Sequence, residues 1–165
     1  MKGSRTDLSQ AQCATSRALE IIGDWWSMLI VRDAFLGRQR FGEFQKSIGL
    51  AKNILSARLK KLVEDGVFRI ERDEQSPSRR RYLLTERGDR LAVVLTALWQ
   101  WGEENCFEPG ELGVSLVEKA TGQPLARLEI RTADGRPVDS QGLRMGLKDR
   151  AGRDVALTGA AAERG

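Results

Sequence analysis

The chain has 165 residues, 41% of them hydrophobic and 30% charged, and its 27 Lys and Arg exceed its 23 Asp and Glu for a formal net charge of +4. That balance is ordinary for a soluble globular domain and argues against disorder or a fibrous class over most of the length. No apolar run approaches the roughly 20 residues of a bilayer span, and the first ten residues lack the apolar stretch of a signal peptide, so no membrane partner and a cytoplasmic location are expected.

There is no histidine, which removes the commonest general base and the commonest metal ligand, and the two cysteines, Cys13 and Cys106, lie far apart. No Gly-rich phosphate loop, G-x-S-x-G or paired metal motif is present, so neither catalysis nor a metal or cofactor is expected.

In chain order, residues 15–22 place Leu19 and Ile22 at helical spacing, with Thr15 or Ser16 as the expected N-cap. After Gly23, Asp24 caps a second helix in which Trp26, Leu29, Ile30 and Phe35 recur at roughly helical spacing, and Gly37 stops it. Residues 41–48 form a short amphipathic helix with Phe41, Phe44 and Ile48 on one stripe, broken by Gly49. A further helix over 51–64 turns Leu55, Leu59 and Leu62 inward, so Asn53, Ala57 and Lys60 point outward, flanked by Ser56 and Lys61. Helix, Gly-containing turn and helix make a helix-turn-helix. The outward face of small, polar and basic residues suits a helix entering the major groove. A merely solvated helix face is the plain alternative for that helix taken alone.

Asp65-Gly66 ends the helix, VFRIER alternates as a strand, EQSPS turns, and RRRYLL returns as a second strand. A basic hairpin directly after the candidate recognition helix is the wing of a winged helix. Arg69, Arg72, Arg79, Arg80 and Arg81 would reach phosphates or an adjacent minor groove. Thr85 caps one long helix to about Glu104, with Leu91, Val94, Leu95, Leu98 and Trp101 on one side. That stripe exceeds what a small winged core covers, so Leu19, Ile22, Leu91, Val94, Leu95, Leu98 and Trp101 are assigned to a dimer interface, with packing within the chain as the plain alternative.

In that order of elements, the residues resemble the HxlR-type family of bacterial winged helix-turn-helix regulators, within the MarR-like superfamily. The resemblance rests on four linked blocks across roughly residues 11–104. The first runs from Cys13 through Arg17-Ala18-Leu19 and Ile22-Gly23-Asp24-Trp25-Trp26-Ser27 to Leu29-Ile30-Val31-Arg32-Asp33. The others are Arg40-Phe41-Gly42-Glu43-Phe44, the run from Leu55 to Gly66, and Tyr82-Leu83-Leu84-Thr85-Glu86-Arg87-Gly88.

The resemblance implies a homodimer on a pseudo-palindromic operator in double-stranded DNA, with half-sites about one helical turn or a multiple apart. It places Lys52, Asn53, Ser56 and Lys60 on the recognition helix and Arg79, Arg80 and Arg81 on the wing. Arg40 and Lys61 join this DNA-binding set, as does Arg58, which lies at the rim of the inner face and either holds a phosphate or braces the fold. The family usually has Cys-Pro where Cys13-Ala14 stands, and a basic residue at Trp25. Longer members carry an extension resembling a zinc ribbon. Here its ligand places read Thr121-Gly122 and 131–135, without cysteine, so no metal is expected.

Cys13 precedes a helix with Arg17 nearby, both of which lower a thiol pKa, and the equivalent cysteine senses oxidants or aldehydes in some members of the family. A redox sensor and a buried, unreactive thiol are both open readings. Residues 112–138 read as strands separated by turns at Thr121-Gly122 and Asp134-Gly135.

The expected fold is therefore mostly α with a β-wing, a winged helix-turn-helix, followed by a small β-rich C-terminal extension. Its divisions are a flexible N-terminus (1–10), the DNA-binding domain with dimerisation helices (11–104), the extension (105–150) and a flexible tail (151–165). The expected function is a DNA-binding repressor or autoregulator working as a homodimer and responsive to a small-molecule effector or redox state. The competing class is a winged-helix protein-interaction module that never touches DNA.

Overall fold

The computed structural model describes residues 7–73, 76–108, 110–111, 113–148 and 154–155. Six helices and a hairpin occupy the first part of the chain: α1 (Ala14–Ile22), α2 (Trp25–Phe35), α3 (Phe41–Ile48), α4 (Lys52–Glu64), β1 (Phe68–Asp73), β2 (Ser76–Leu84), α5 (Glu86–Asp89) and α6 (Leu91–Asn105). A 3-10 turn (Ser140–Gly142) and the short strands β3 (Leu147–Lys148) and β4 (Asp154–Val155) follow. The chain divides into two compact units, Met1–Pro124 and Leu125–Gly165. Among the described residues, no helix is long and apolar enough to cross a membrane.

The core of the first unit is built from α2, α3, α4 and the start of the hairpin. Ile30, Val31, Phe44, Leu50, Leu55, Leu59, Leu62, Val67 and Phe68 are all buried. Phe44 meets Phe68 and Tyr82 edge to face at centroid distances of 6.3 and 6.5 Å, the arrangement ring quadrupoles favour. The three leucines predicted for the inner face of α4 are fully buried. On α2 the buried apolar pair is Ile30 and Val31, whereas Phe35 from the predicted stripe stays 38% exposed because it ends the helix beside Gly37.

Caps set the helix starts. The Asp24 carboxylate accepts from the Ser27 backbone N–H at 3.0 Å and from Ser27 Oγ at 2.6 Å, as expected of an N-cap. Gly49, at φ +76°, turns the chain between α3 and α4 in the left-handed region that an L side chain rarely adopts. Thr85 caps α5 by accepting from Gly88 N–H at 3.1 Å while its hydroxyl donates to the Gly66 carbonyl at 2.6 Å. Gly88 is required there, since a Cβ would stand 2.3 Å from the Val67 carbonyl oxygen.

Three expectations change. The first helix begins one residue earlier than Thr15, with Cys13 itself as N-cap, because the extended backbone at Cys13 (φ −80°, ψ 123°) already delivers the chain into the helix. The single long helix from Thr85 is interrupted at Arg90, leaving a one-turn α5 locked against the hairpin root and a separate α6. In the extension, the turns at Gly122 (φ +69°) and Gly135 (φ +88°) form where expected. The strands expected over 112–138 do not: among the described residues, pairing there reduces to the isolated bridges Val117↔Pro124 and Arg131↔Pro137. None of residues 113–146 is buried, so that stretch lacks the apolar packing that would extend these bridges into a ladder.

Candidate nucleic-acid interface

Burying Leu55, Leu59 and Leu62 rolls the opposite side of α4 outward. Lys52, Asn53, Ser56, Ala57 and Lys60 are all exposed. Lys52, Asn53 and Ser56 make no side-chain hydrogen bond or ion pair among the described residues. Lys60 has only a long contact to Glu64 (3.7 Å), with both side chains more than 60% exposed, a pairing that water screens to little net energy.

The other two cations of α4 are engaged within the fold. Arg58 Nε lies 3.3 Å from the Asp24 carboxylate, tying the reading helix to the start of α2, so of the two roles open to it the structure supplies the bracing contact. Lys61 Nζ lies 3.0 Å from Asp65, an i,i+4 pair at the helix C-terminus.

The hairpin sorts its arginines by strand face. Register pairs Arg69 with Leu83, Glu71 with Arg81 and Arg72 with Arg80. Alternation then puts Arg69, Glu71 and Arg81 on one face and Phe68, Ile70, Tyr82, Arg72 and Arg80 on the other. On the first face Glu71 takes Arg69 at 2.9 Å and Arg81 at 3.5 Å, and Arg69 Nη1 also donates to the Leu84 carbonyl at 3.0 Å. Arg69 and Arg81, expected to reach phosphates, are thus drawn back onto the sheet by the one carboxylate of Glu71, two residues along from Arg69 and directly across from Arg81.

On the second face, Arg72 and Arg80 stand directly opposite each other with no acidic partner among the described residues. Like charges at that spacing repel, and an anion between them relieves the repulsion. Arg79 belongs to β2 by its backbone, and its side chain lies outside the described residues.

Arg40 is the N-cap of α3, and its neighbourhood joins α3 to the wing. The Glu43 carboxylate accepts from the backbone N–H groups of Gln39 (2.8 Å) and Arg40 (3.0 Å) and lies 3.4 Å from the Arg40 guanidinium. The Gln39 N–H first, and then Arg40, hold the Glu43 carboxyl below the usual glutamate range. Tyr82 N–H donates to the Gln39 carbonyl at 2.7 Å, and Arg40 bridges Arg81. Between them opens a cleft of about 650 Å3 lined by Arg40, Phe41, Gly42, Glu43, Arg80 and Tyr82.

Elsewhere, Cys13 is exposed, and hydrogen bonds from Ser16, backbone first and then side chain, with a further one from Thr15, lower its pKa. The Arg17 guanidinium turns instead to the Ala11 carbonyl at 2.5 Å. Of the residues assigned to an interface, Leu19, Val94, Leu98 and Trp101 are exposed and Ile22 and Leu95 half-buried. Leu91 differs, since it packs against the chain's own core at the start of α6.

Glu71 and Glu43, the carboxylates that engage the arginines beside them, are functional-site residues that helix and strand periodicity alone does not single out. The signal was present as the i,i+2 spacing of Arg69 and Glu71 on one strand.

The profile of the HxlR-like helix-turn-helix family matches residues 21–109. The uncharacterized HTH-type transcriptional regulator Rv3095 of Mycobacterium tuberculosis (strain ATCC 25618 / H37Rv) is 37% identical over 110 residues, covering 67% of this chain and 70% of that protein. Among solved structures, PA1607, named as a candidate transcription factor, superposes with a TM-score of 0.80 at 53% identity, over 85% of this chain and 98% of its own. The reduced form of the redox regulator HypR superposes with a TM-score of 0.53 at 28% identity, over 57% of this chain and 94% of its own. Carrying a two-strand wing on a helix-turn-helix and matching the profile over more than half its length, the chain belongs to the HxlR-like helix-turn-helix family and is a DNA-binding transcriptional regulator, not an enzyme.

Proposed function

We propose that the protein is a cytoplasmic repressor or autoregulator that binds a pseudo-palindromic operator as a homodimer. In this reading α4 lies in the major groove with Asn53, Ser56 and Lys60 toward base edges and Lys52 toward the backbone. The wing brings Arg80, with Arg72 beside it and Arg79 next in the strand, to the flanking phosphates or minor groove.

The observation that carries the reading is the division of cations. Among the described residues, Lys52, Lys60, Arg72 and Arg80 have no close internal partner on α4 and one hairpin face, while Arg58 and Lys61 each pair with a carboxylate and Arg69 and Arg81 share the one carboxylate of Glu71. Arg40, beside Arg80, adds positive charge where α3 meets the wing. Dimerisation is assigned to the exposed apolar residues of α1 and α6, Leu19, Val94, Leu98 and Trp101, with Ile22 and Leu95 at their edges.

A redox response through Cys13 is part of the proposal. Its support is an exposed thiol with a lowered pKa at the start of α1, together with the structural likeness to a protein named as a redox regulator.

Fluorescence anisotropy against the intergenic DNA beside the protein's own gene, with a scrambled duplex and a salt series, tests the reading. A preference of about a thousandfold, falling steeply with salt, is the expected result. Equal binding of both duplexes, unchanged by K60A and R80A, would sink it in favour of a protein-interaction module.

A further inference from the structure

We propose that the cleft at the C-terminal end of α6 is a binding site for a compact lipophilic ammonium ion, with Glu103 as its counter-ion and the rings of Trp99 and Phe107 in its walls. The cleft has a volume of about 360 Å3. Leu98, Trp99, Gly102 and Glu103, from the last two turns of α6, form one side. Phe107, Gly113 and Val114, from the segment after the helix, form the other.

Two glycines keep the space open. At Gly102 a Cβ would meet nothing within 4 Å, so the helix surface there borders the cleft without filling it. At Gly113 a Cβ would stand 3.7 Å from the Phe107 ring, which therefore lies against bare backbone. The turn between Phe107 and Gly113 is held from both ends: Glu111 N–H donates to the Glu108 carbonyl at 3.0 Å, and Glu108 N–H donates to the Glu111 carboxylate at 3.1 Å. The Trp99 indole N–H is buried with no partner among the described residues, so the chain's own polar groups do not complete this wall.

The charge around the cleft has one sign. From Leu91 to Glu118 the chain carries five glutamates and no lysine or arginine. Glu103 makes no side-chain hydrogen bond or ion pair among the described residues. It stands in the last turn of α6, which has no basic residue, where the negative end of the helix dipole disfavours a carboxylate and favours a cation.

This combination selects one class of ligand. A neutral apolar molecule would cover the Glu103 carboxylate without pairing it, and an anion would be repelled. A bare metal ion would find one carboxylate and apolar walls, and no group of three or more metal-ligating side chains exists among the described residues. An ammonium ion on a compact apolar body meets every demand: its charge pairs with Glu103, its polarised methyl or N–H groups lie against aromatic faces, and its apolar part covers Leu98 and Val114. The volume sits at the lower end of small-molecule sites, which suits a ligand with a single ring.

The position has a regulatory consequence that rests on the homodimer reading above. Leu98 lines the cleft and also belongs to the α6 residues assigned to the dimer, so a ligand whose affinity differs between free and paired α6 would shift dimerisation and with it operator binding.

The test uses the full chain without DNA, so its outcome is independent of operator binding. NMR spectra of the backbone amides and of the Trp99 indole N–H, the latter assigned with W99F, are recorded with benzyltrimethylammonium and phenethylammonium. N-benzylacetamide, phenylacetate and magnesium chloride serve as neutral, anionic and bare-cation controls. The expected result is saturable shifts at the Trp99 indole, Gly102, Gly113 and Val114 with at least one ammonium ion, weakened about tenfold or more by E103Q and lost in G102L, which fills the cleft. Glu103 is exposed and Gly102 faces open space, and unchanged amide signals of Leu55, Leu59 and Phe68 verify that both variants keep the core. The proposal is overturned if neither ammonium ion shifts these signals at millimolar concentration, if any control binds as well, or if E103Q binds like the unaltered chain.

Discussion

Helices α4 and α6 begin from similar apolar stripes and end in opposite situations. In α4, Leu55, Leu59 and Leu62 are all completely buried; in α6 no residue is buried, and Val94, Leu98 and Trp101 remain about half exposed. The α4 stripe is used up by α2, α3 and the hairpin, which frees its outer face for polar recognition. Among the described residues, only Leu91 of the α6 stripe packs against the buried core, and Val94, Leu98 and Trp101 farther along it stay exposed. An apolar stripe by itself therefore does not separate folding from association; what decides is how many elements of the same chain converge on it.

Four outcomes would sharpen or break that comparison. The largest effect is expected for L59A, which empties the centre of the core and should destabilise the protein by about 2–5 kcal/mol in denaturant unfolding. A loss below about 1 kcal/mol would mean that α4 is not the organising helix. Next, L98D combined with W101A should convert the proposed dimer to monomer in sedimentation analysis. The change in unfolding free energy at low protein concentration should stay within about 1 kcal/mol, because these side chains are already largely exposed. A large loss of monomer stability would instead place them in intrachain packing.

Third, R58A and K60A should separate cleanly. Removing the half-buried pair with Asp24 should cost roughly 0.5–1.5 kcal/mol of stability, while K60A should leave the melting curve in place and weaken operator binding with a salt slope smaller by about one. Identical behaviour of the two variants would remove the distinction between bracing and reading cations.

The smallest effect concerns Glu43. Its carboxyl is held below the usual glutamate range in the folded chain, so its contribution is fully present above that range and disappears as the pH falls through the lower folded value. E43Q should therefore cost under about 1 kcal/mol at neutral pH, since the side chain is 39% exposed and partly screened, and the cost should vanish in acid. A cost that is the same at all pH values would show that the charge on Glu43 is irrelevant to joining α3 to the wing.

Much of the fold was legible in the chain because it is written in local rules. Helical spacing marked the inward leucines of α4, Asp24 acted as the cap its side chain suits, and Gly49 supplied the left-handed turn of the helix-turn-helix. The stop at Arg90 was not legible, since Glu86, Leu91 and Val94 all suit one continuous helix. The separation arises where α5 is pinned, by the close approach of Gly88 to Val67 and by the Thr85 hydroxyl on the Gly66 carbonyl, both contacts across about twenty residues. The extension misled for a related reason. Glycines at 122 and 135 set turns locally, but strand ladders need packing partners that alternation in sequence cannot promise.

For the candidate interface, the sequence by itself determined that a polar face on α4 and a basic hairpin follow one another, because periodicity and turn chemistry act over a few residues. Only the tertiary structure decided which cations are left over. Asp24 claims Arg58 from thirty-four positions away, and Glu71 claims Arg81 across the strand register, while Arg72 and Arg80 meet without an acidic partner among the described residues. Charge at each position is a property of the residue, but its availability depends on distances that exist only once the helices and the hairpin have packed.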